Sequence, residues 1–420
     1  MRARPPLGAL ALAVLACCPA CSSAAPLVTF SPATVRLGVV YLGQRRTWPV
    51  VLANAGGPVT IASVELEGAG LSSTLALPRR VGGGSSTWFA LTYAPPVAGL
   101  LSGRLILKDA AGRTLGSLAI AGEGVALDAG NSVSVAAYGA RGDGEADDTA
   151  AFRAAARAAG RAHKVLYVPR PPGGDSYQLS GVVEIHGSVV GEPGPERPVI
   201  RMRGADGLGR PGGPDPHTIF YYRGDRSGTV IAGLHLDGGR DFPPRTRVYG
   251  MAEQSHGIAL QDVSDVRIEN NLIENTQGDA ILIGGQPGTG PCADVEIVAN
   301  VLRHPMRCAV FAADTRGLRV YLNQISKVVE YQSAMDFEPN QAPQADWDAE
   351  VAYNDFDATL DYDHGVITST IATRIRAPGG NIRVHDNTGS PGRYSFHVSL
   401  TAPQCRFSGD VIQDSISRAR

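Results

Sequence analysis

The sequence predicts an all-β protein, a β-sandwich followed by a β-solenoid, from two observations. Residues 27–125 consist of short runs in which apolar and polar residues alternate, separated by Gly and Pro. Later in the chain one pattern recurs: a branched aliphatic residue, two residues, an Asn, and a large apolar residue two positions on. Alternation indicates half-buried strands. A strand-like unit recurring every 20–50 residues, roughly, is typical of a solenoid.

The repeated Asn residues define the coils of the predicted solenoid. They are Asn271, Asn300, Asn323, Asn354 and Asn387, spaced 23 to 33 residues apart, and the last of them lacks the apolar residue two positions on. Asn tolerates the left-handed turn conformation, and its amide can satisfy turn backbone groups. We therefore expect a structural Asn ladder, in which each amide bonds the backbone or the Asn of the next coil.

The composition limits the function classes. The chain has 420 residues, enough for more than one domain, and its 43% hydrophobic and 19% charged residues are typical of a globular protein. A net charge of −2 and the absence of a Lys/Arg-rich run argue against a nucleic-acid partner.

Residues 1–25 are predicted to be a targeting segment. Their apolar run, residues 7–16, is too short for a permanent transmembrane helix. Val14-Leu15-Ala16-Cys17 resembles a bacterial lipoprotein signal, which would make Cys17 the lipidated N-terminus. Cys21 is a second candidate, and ordinary cleavage near Ala25 is the alternative. Each of these predicts an exported protein. Contact with a membrane is expected only through the possible N-terminal lipid anchor.

Export would place the later cysteines in an oxidising compartment, where disulfides form. A disulfide between Cys292 and Cys308 therefore remains an open question, and in that pairing Cys405 has no partner among the three. The spacing of these three residues does not match a metal site.

Residues 27–125 resemble the immunoglobulin-like modules of the ASPM/SPD-2/Hydin type. The matching stretches are residues 52–56, 89–95, 102–107 and 120–124. The resemblance implies an immunoglobulin-like sandwich. No catalytic constellation occurs in it, so we expect a spacer or a binding module, joined to the rest by a linker at residues 126–132.

Residues 133–144, followed by Asp147-Asp148-Thr149 and an Ala-rich helix to Gly160, resemble the start of the pectate-lyase-superfamily (pectin lyase-like) β-helices. That superfamily includes pectin-degrading lyases, polygalacturonase-like hydrolases and phage tailspikes. The resemblance implies a right-handed parallel β-helix over residues 133–420 with an N-terminal capping helix. Asp147 or Asp148 is expected to cap that helix.

The strands that complete each coil align as residues 257–261, 280–284, 309–313, 334–338 and 365–369. Because side chains alternate between faces, the second and fourth positions are predicted to enter the core. One coil breaks the apolar and small pattern of the outer face. There Asp336 and Glu338 both point outward, beside an apolar shelf from Leu282 and Phe311.

Two carboxylates at positions i and i+2 of a strand have Cα atoms about 7 Å apart. Their carboxyl groups can reach the separations of glycosidases, roughly 6.5–9.5 Å for inverting and 5–5.5 Å for retaining enzymes. Two close carboxylates also move their pKa values apart, which supplies an acid and a base. A Ca²⁺ site with Asp314 and a solvated acidic patch are the alternatives.

Two segments are similar to polygalacturonase motifs but incomplete. Asn275-Thr276-Gln277-Gly278-Asp279 has Gln277 where that family has Asp, and Asp279 stands alone where the family has a pair. Ser255-His256-Gly257 comes before these residues rather than after them. Polygalacturonase chemistry is therefore not supported. Calcium-type pectate lyases use an Arg base, which Arg303 or Arg307 could supply.

The resulting hypothesis is cleavage of glycosidic bonds in a polysaccharide, by hydrolysis or β-elimination. The predicted catalytic residues are Asp336, Glu338 and Asp279. The predicted substrate-binding residues are Asp314, His256, Gln261, Phe311 and Arg307. The alternative is a non-catalytic glycan-binding or structural surface protein, which the absence of a complete motif supports.

Overall fold

The computed structural model describes residues 28–203, 218–224, 227–239, 255–284, 290–326, 334–337, 346, 348–357, 364–368, 382–389 and 394–398. Cys17 and Glu338 lie outside these residues, as do Cys21 and Ala25. Within the described part, no helix has both the length and the apolar character needed to cross a membrane.

The N-terminal region is a β-sandwich. Its strands are β1 Val28–Ser31, β2 Thr34–Tyr41, β3 Arg46–Asn54, β4 Val59–Ile61, β5 Ser63–Glu67, β6 Leu71–Ser73, β7 Arg79–Val81, β8 Ser85–Tyr93, β9 Gly99–Lys108 and β10 Thr114–Val125. They form two four-stranded sheets with the orders β1-β3-β8-β6 and β2-β10-β9-β5, and β4 pairs with β7 in a two-stranded ribbon.

The sandwich core follows from the alternation in its strands. In β8, Phe89, Leu91 and Tyr93 are buried in the cluster between the sheets. Leu52 of β3 and Leu105 of β9 reach the same cluster from neighbouring strands. Every second side chain of these strands therefore leaves water, which is the main source of stability for such a fold.

A parallel β-helix follows the sandwich, and its described elements begin with a short strand, a 3₁₀ turn and one helix. In chain order the elements are β11 Ser132–Ser134, the 3₁₀ turn Val135–Tyr138, α1 Thr149–Ala162, β12 Val165–Val168, β13 Ser176–Leu179, β14 Val183–Ile185, β15 Val189–Gly191, β16 Val199–Met202, β17 Phe220–Arg223, β18 Thr229–Ala232, β19 His235–Asp237, β20 Ile258–Gln261, β21 Ser264–Glu269, β22 Leu272–Glu274, β23 Ile281–Gly284, β24 Cys292–Val298, β25 Val301–Arg303, β26 Val310–Ala313, β27 Thr315–Arg316, β28 Arg319–Tyr321, β29 Gln324–Ser326, β30 Met335–Phe337, β31 Glu350–Ala352, β32 Asp355–Asp357, β33 His364–Thr368, β34 Arg383–His385, β35 Thr388–Gly389 and β36 Tyr394–Val398.

Each coil contributes one strand to each of three sheets, taken in rotation. The first sheet runs β11-β12-β15-β18-β21-β24-β28-β31-β34, with β27 beside β24. The second runs β13-β16-β19-β22-β25-β29-β32-β35, and the third runs β14-β17-β20-β23-β26-β30-β33-β36. Every strand pair along these sheets is parallel. This order is a parallel β-helix, so the predicted fold class is confirmed.

The Asn ladder is confirmed at the corner between the first and second sheets. Asn300 Oδ1 accepts the backbone N–H of Asn271 at 3.0 Å, and Asn323 Oδ1 accepts that of Asn300 at 2.9 Å. Asn354 and Asn387 extend the same chain of bonds. Each of these Asn amides also donates to a backbone carbonyl of the preceding coil, for example Asn300 Nδ2 to Ile268 at 2.8 Å.

The left-handed turn conformation falls on the residue before each ladder Asn, not on the Asn itself. Ala299, Leu322 and Tyr353 have φ of 56°, 58° and 61°. An L-residue with a Cβ pays about 1–2 kcal/mol there. The buried ladder bonds of the following Asn fix the corner strongly enough to offset that cost.

Helix α1 covers the first coils, as predicted, but its N-terminus differs from the expected cap. Asp148 occupies the N-cap position, yet its carboxylate accepts the N–H groups of Arg141 at 2.6 Å and Gly142 at 3.1 Å. Asp147 instead accepts the N–H of Thr149 at 3.0 Å. Asp148 therefore serves the turn before the helix, whereas Asp147 accepts the first N–H of the helix itself. Burial opposes ionisation of Asp147, but hydrogen bonds from Ser180 and Thr149 lower its pKa to about 2.

The sandwich packs along the outer face of the first sheet. Arg267 donates to the backbone carbonyls of Leu37 at 2.9 Å and Val39 at 2.6 Å, and Gln44 donates to that of Gly191 at 2.9 Å. Tyr41 joins an apolar cluster with side chains of the β-helix. The two units are thus held together by specific contacts.

Aromatic rings extend this interface. Trp48 meets Tyr321 edge to face with ring centroids 5.4 Å apart, and Trp88 lies 4.6 Å from Tyr353. Such pairs contribute about 0.5–1.5 kcal/mol beyond the area they bury.

The open question about a disulfide is answered by the structure. Cys292 lies in β24 of the first sheet, whereas Cys308 precedes β26 of the third. Both thiols are buried, and they are not bonded to each other. The β-helix therefore holds these coils together without that bridge.

Candidate functional site

Asp336 lies on the outer face of the third sheet, as the alternation predicted. Phe311 stands opposite Asp336 on the adjacent strand, with Leu282 and Ala259 on the two strands before. Met335, the neighbour of Asp336 in β30, points into the core of the β-helix. The register predicted from sequence is thus confirmed for this coil.

This outer face is closely packed rather than open. Leu282 is 4%, Phe311 3% and Asp336 6% exposed, and Tyr221 and Ala259 are equally buried. Burying a carboxylate beside apolar groups is costly unless polar groups compensate. Asp336 is therefore a buried carboxyl in a column whose other side chains are apolar or aromatic.

Arg307 lies beside this face. Its guanidinium carbon is 5.2 Å from the ring centroid of Phe311, close enough for a cation–π contact. Arg303, the other arginine considered from sequence, instead pairs with Glu274 on the second sheet. The structure therefore brings Arg307, and not Arg303, to the face that carries Asp336.

Asp279 forms a buried ion pair with Arg307. Its side chain is 0% exposed, Oδ2 lies 3.6 Å from Arg307 Nη1, and Oδ1 accepts the Cys308 N–H at 3.0 Å. Burial by itself would raise the pKa of Asp279, but Arg307 and His256 outweigh it and lower that pKa. The buried carboxylate of Asp279 thus contacts Arg307 and the Cys308 N–H. The catalytic role predicted for Asp279 stays a prediction.

His256 completes the buried cluster. Its Nδ1 accepts the backbone N–H of Asp279 at 3.1 Å and lies 3.2 Å from Asp279 Oδ2. His256 is 3% exposed and supports Asp279. Its predicted substrate-binding role stays a prediction.

Gln261 and Asp314 lie at the opposite, carboxyl ends of these strands. Gln261 is the last residue of β20, and its Oε1 accepts the Tyr221 hydroxyl at 2.5 Å. Asp314 follows β26, near Asp346. Burial raises the pKa of Asp346 to about 7. Hydrogen bonds from Thr315 lower that pKa in part, and the nearby charge of Asp314 raises it. The predicted residues therefore form two groups, one at each end of the strands.

Tyr221 and Asp346 were missed by the sequence predictions. Tyr221 lies in β17, which precedes the Asn repeats that set the register. It was therefore not aligned with the outward positions of the later strands. Asp346 precedes β31 and carries no repeat signal. Within the described residues, no three His, Cys, Asp or Glu side chains cluster as a metal site. Calcium binding, which would involve Glu338, stays a prediction.

No protein-family profile and no curated protein matches the chain. Among solved structures, a family 28 exopolygalacturonase of Yersinia enterocolitica is 12% identical with a TM-score of 0.46, over 86% of this chain and 81% of that one. ORF18 of Geobacillus virus E2 is 13% identical with a TM-score of 0.39, over 66% of this chain. PfbA, a surface adhesin of Streptococcus pneumoniae, is 14% identical with a TM-score of 0.35, over 64% of this chain and 80% of that one.

The chain spans 62% of the length of ORF18. Scores of this size assign no activity, and the fold rests on the strand order described above. That order defines the chain as a β-sandwich packed on a parallel β-helix.

Proposed function

We propose that the chain is an exported, carbohydrate-active protein that cleaves glycosidic bonds of a polysaccharide at the third sheet. One observation carries this proposal: Asp336 interrupts a buried apolar column directly beside Phe311, over which the Arg307 guanidinium lies. An ionisable side chain buried in an otherwise apolar column is typical of functional sites.

In this proposal Asp336 and Glu338 are the acid–base pair, and Arg307 is a fixed cation. An arginine beside an ionised carboxylate stays protonated. Arg307 therefore does not act as a base. It binds an anionic group of the substrate or stabilises negative charge that develops during bond cleavage. Asp279 and His256 position Arg307, and Phe311 supplies an apolar wall.

The first test supplies the full-length protein with polysaccharides of different charge, such as polygalacturonate, alginate and a neutral glucan. New reducing ends without an unsaturated product indicate hydrolysis. Absorbance of an unsaturated uronate indicates β-elimination. No cleavage of any substrate in a broad panel contradicts the catalytic proposal.

The second test uses Asp336→Asn, which preserves shape and removes the titrating carboxyl. Loss of a general acid or base lowers kcat by about 10²–10⁴-fold. Asp355→Asn is the matched control, because Asp355 is an exposed acid on the second sheet. If Asp336→Asn has the activity and the thermal stability of the wild type, Asp336 is not a catalytic residue.

A non-catalytic glycan-binding protein is the second candidate, favoured by the burial of the Asp336 column. Phe311 and Leu282 expose only 3% and 4% of their surface, which leaves little room for a polymer on that part of the face. Retention on an immobilised polysaccharide without cleavage, and without dependence on Asp336, would support this candidate over the enzyme.

A further inference from the structure

Two adjoining cavities lie between helix α1 and the first coils. One, of about 450 Å³, is lined by Arg153, Arg157, Glu184, Tyr221 and Arg223 among others. The second, of about 490 Å³, shares Arg157 and includes other basic side chains of the same helix end. Positive charge is thus concentrated here, in a chain whose net charge is −2.

The helix supplies this charge from a single stripe. Arg153, Arg157 and Arg161 are spaced four residues apart in α1, and the helix contains no acidic residue. Like charges at this spacing destabilise a helix by roughly 0.2–0.5 kcal/mol per pair. The helix dipole favours Arg161, which lies in the last turn. It does not account for Arg153 and Arg157.

Among the described residues, no carboxylate lies within ion-pair distance of Arg153, Arg157 or Arg223, although each lines the first cavity. Arg153 Nε donates to the Val182 carbonyl at 2.8 Å, which fixes its guanidinium. Glu184, the acid in that cavity wall, has its side chain 55% exposed. The cavity therefore presents donors prepared for an anion.

Close packing of the helix shapes the shared wall. A Cβ added at Gly160 would lie 2.4 Å from His186 Cβ, so only glycine allows the helix to approach this closely. His186 lines both cavities, and Arg157 lies one helical turn before Gly160. The close packing therefore fixes the position of Arg157 relative to the first coils.

We infer that this arginine-lined cavity binds the carboxylate groups of an acidic polysaccharide. Arginine matches carboxylate with two parallel hydrogen bonds. Arg153 and Arg157 are separated by a rise of about 6 Å along the helix, comparable to the length of one pyranose unit. Successive uronate residues can therefore meet successive guanidinium groups.

The cavity belongs to the same sheet face as Asp336. Tyr221, in its wall, follows Glu184 in the outer column, which continues through Ala259, Leu282 and Phe311 to Asp336. Four strand spacings separate Tyr221 from Asp336, about 19 Å. The inference rests on the proposed function, because that proposal names a saccharide as the ligand. It adds that the saccharide carries uronate groups. Binding to this site can be measured separately from cleavage.

Binding of the full-length protein to polygalacturonate is measured by calorimetry at low salt, with dextran as the neutral polymer. The Arg153→Gln/Arg157→Gln variant should bind polygalacturonate at least tenfold more weakly, because two charge-assisted contacts are lost. Its Tm should change little, because relief of like-charge repulsion in α1 offsets the loss of the hydrogen bond from Arg153 to the Val182 carbonyl. A merely structural role for the arginines predicts a lower Tm instead.

Arg104→Gln is the matched control, because Arg104 is exposed on β9 of the sandwich. It should leave the affinity unchanged. Equal binding of polygalacturonate and dextran, or equal weakening by Arg104→Gln, would overturn the inference. Preferential, arginine-dependent binding to anionic lipid vesicles would overturn the saccharide assignment. If binding behaves as expected but no polysaccharide is cleaved, the enzyme proposal fails and the anion site stands.

Discussion

Arg46 of the sandwich and Glu296 of the β-helix form an ion pair across the interface, with Nη2 and Oε2 2.6 Å apart. The Arg46 side chain is 5% exposed and that of Glu296 25%. Burial raises the pKa of Glu296 even though Arg46 opposes that effect. The pair therefore joins the two units at a place where each charge depends on the other.

Arg46→Met should destabilise the protein by about 2–4 kcal/mol, because Glu296 would be left largely buried without its cation. The free energy of unfolding is measured by urea denaturation. The Arg46→Met/Glu296→Leu double variant should recover much of the loss. Lys108→Met is the control, since its pair with Glu65 is more exposed and should cost less than about 1 kcal/mol. Equal effects of both single variants would contradict the prediction.

Stability should fall as pH rises from about 4.5 to 7, because burial raises the pKa of Glu269 to about 7. Arg46 lowers that pKa and Glu296 raises it, both less than burial does. Below pH 4.5 both the folded and unfolded states hold the proton. Between pH 4.5 and about 7 only the unfolded state releases the Glu269 proton, so the free energy of unfolding declines. The decline is of order 3 kcal/mol.

Glu269→Gln removes this titration and should flatten the stability profile between pH 5 and 8 in urea denaturation, the range about the raised pKa. Glu274→Gln is the control with the opposite sign. Burial opposes ionisation there too, but His235 and Arg303 lower the pKa of Glu274 to about 2. Glu274 therefore stabilises the fold above pH 4.5, and that stability is lost as pH falls toward 2. Identical profiles for the two variants would refute this account.

The coil register could be predicted because Asn271, Asn300 and their successors repeat in sequence. A periodic pattern fixes strand phase, and strand phase fixes which side chains leave the core, so the orientation of Asp336 followed. The left-handed residue at each corner could not be assigned, because Ala299, Leu322 and Tyr353 share no type. Their conformation is imposed by the ladder and not by their own preference.

The burial of the site could not be predicted, because it depends on contacts between distant segments. Alternation places Phe311 and Asp336 outward but does not say whether that face meets solvent. Similarly, Trp48 and Tyr321 occur in separate strands with no shared motif, so their contact across the interface had no sequence signal. Arg307 was a candidate by type, and only the stacking of coils places it against Asp279.

Asn300→Ala should lower stability by about 2–4 kcal/mol, since the substitution leaves the Asn271 N–H and the Ile268 carbonyl buried without partners. Thermal unfolding followed by circular dichroism measures the effect. Gln324→Ala is the control, because Gln324 is exposed on the adjacent second-sheet strand. A loss below about 1 kcal/mol for Asn300→Ala would mean that water replaces the ladder bonds.

Asp279→Asn should destabilise the protein by about 2–4 kcal/mol, because Arg307 would lose its buried counter-charge while the shape is preserved. Asp279→Asn/Arg307→Met should recover stability without restoring activity, because the cation itself is then missing from the Phe311 face. Urea denaturation and polysaccharide cleavage are measured on both single variants and the double. Strictly additive stability losses would show that the two residues are not coupled. In that case Asp279 does not position Arg307, and its burial serves only the Cys308 N–H.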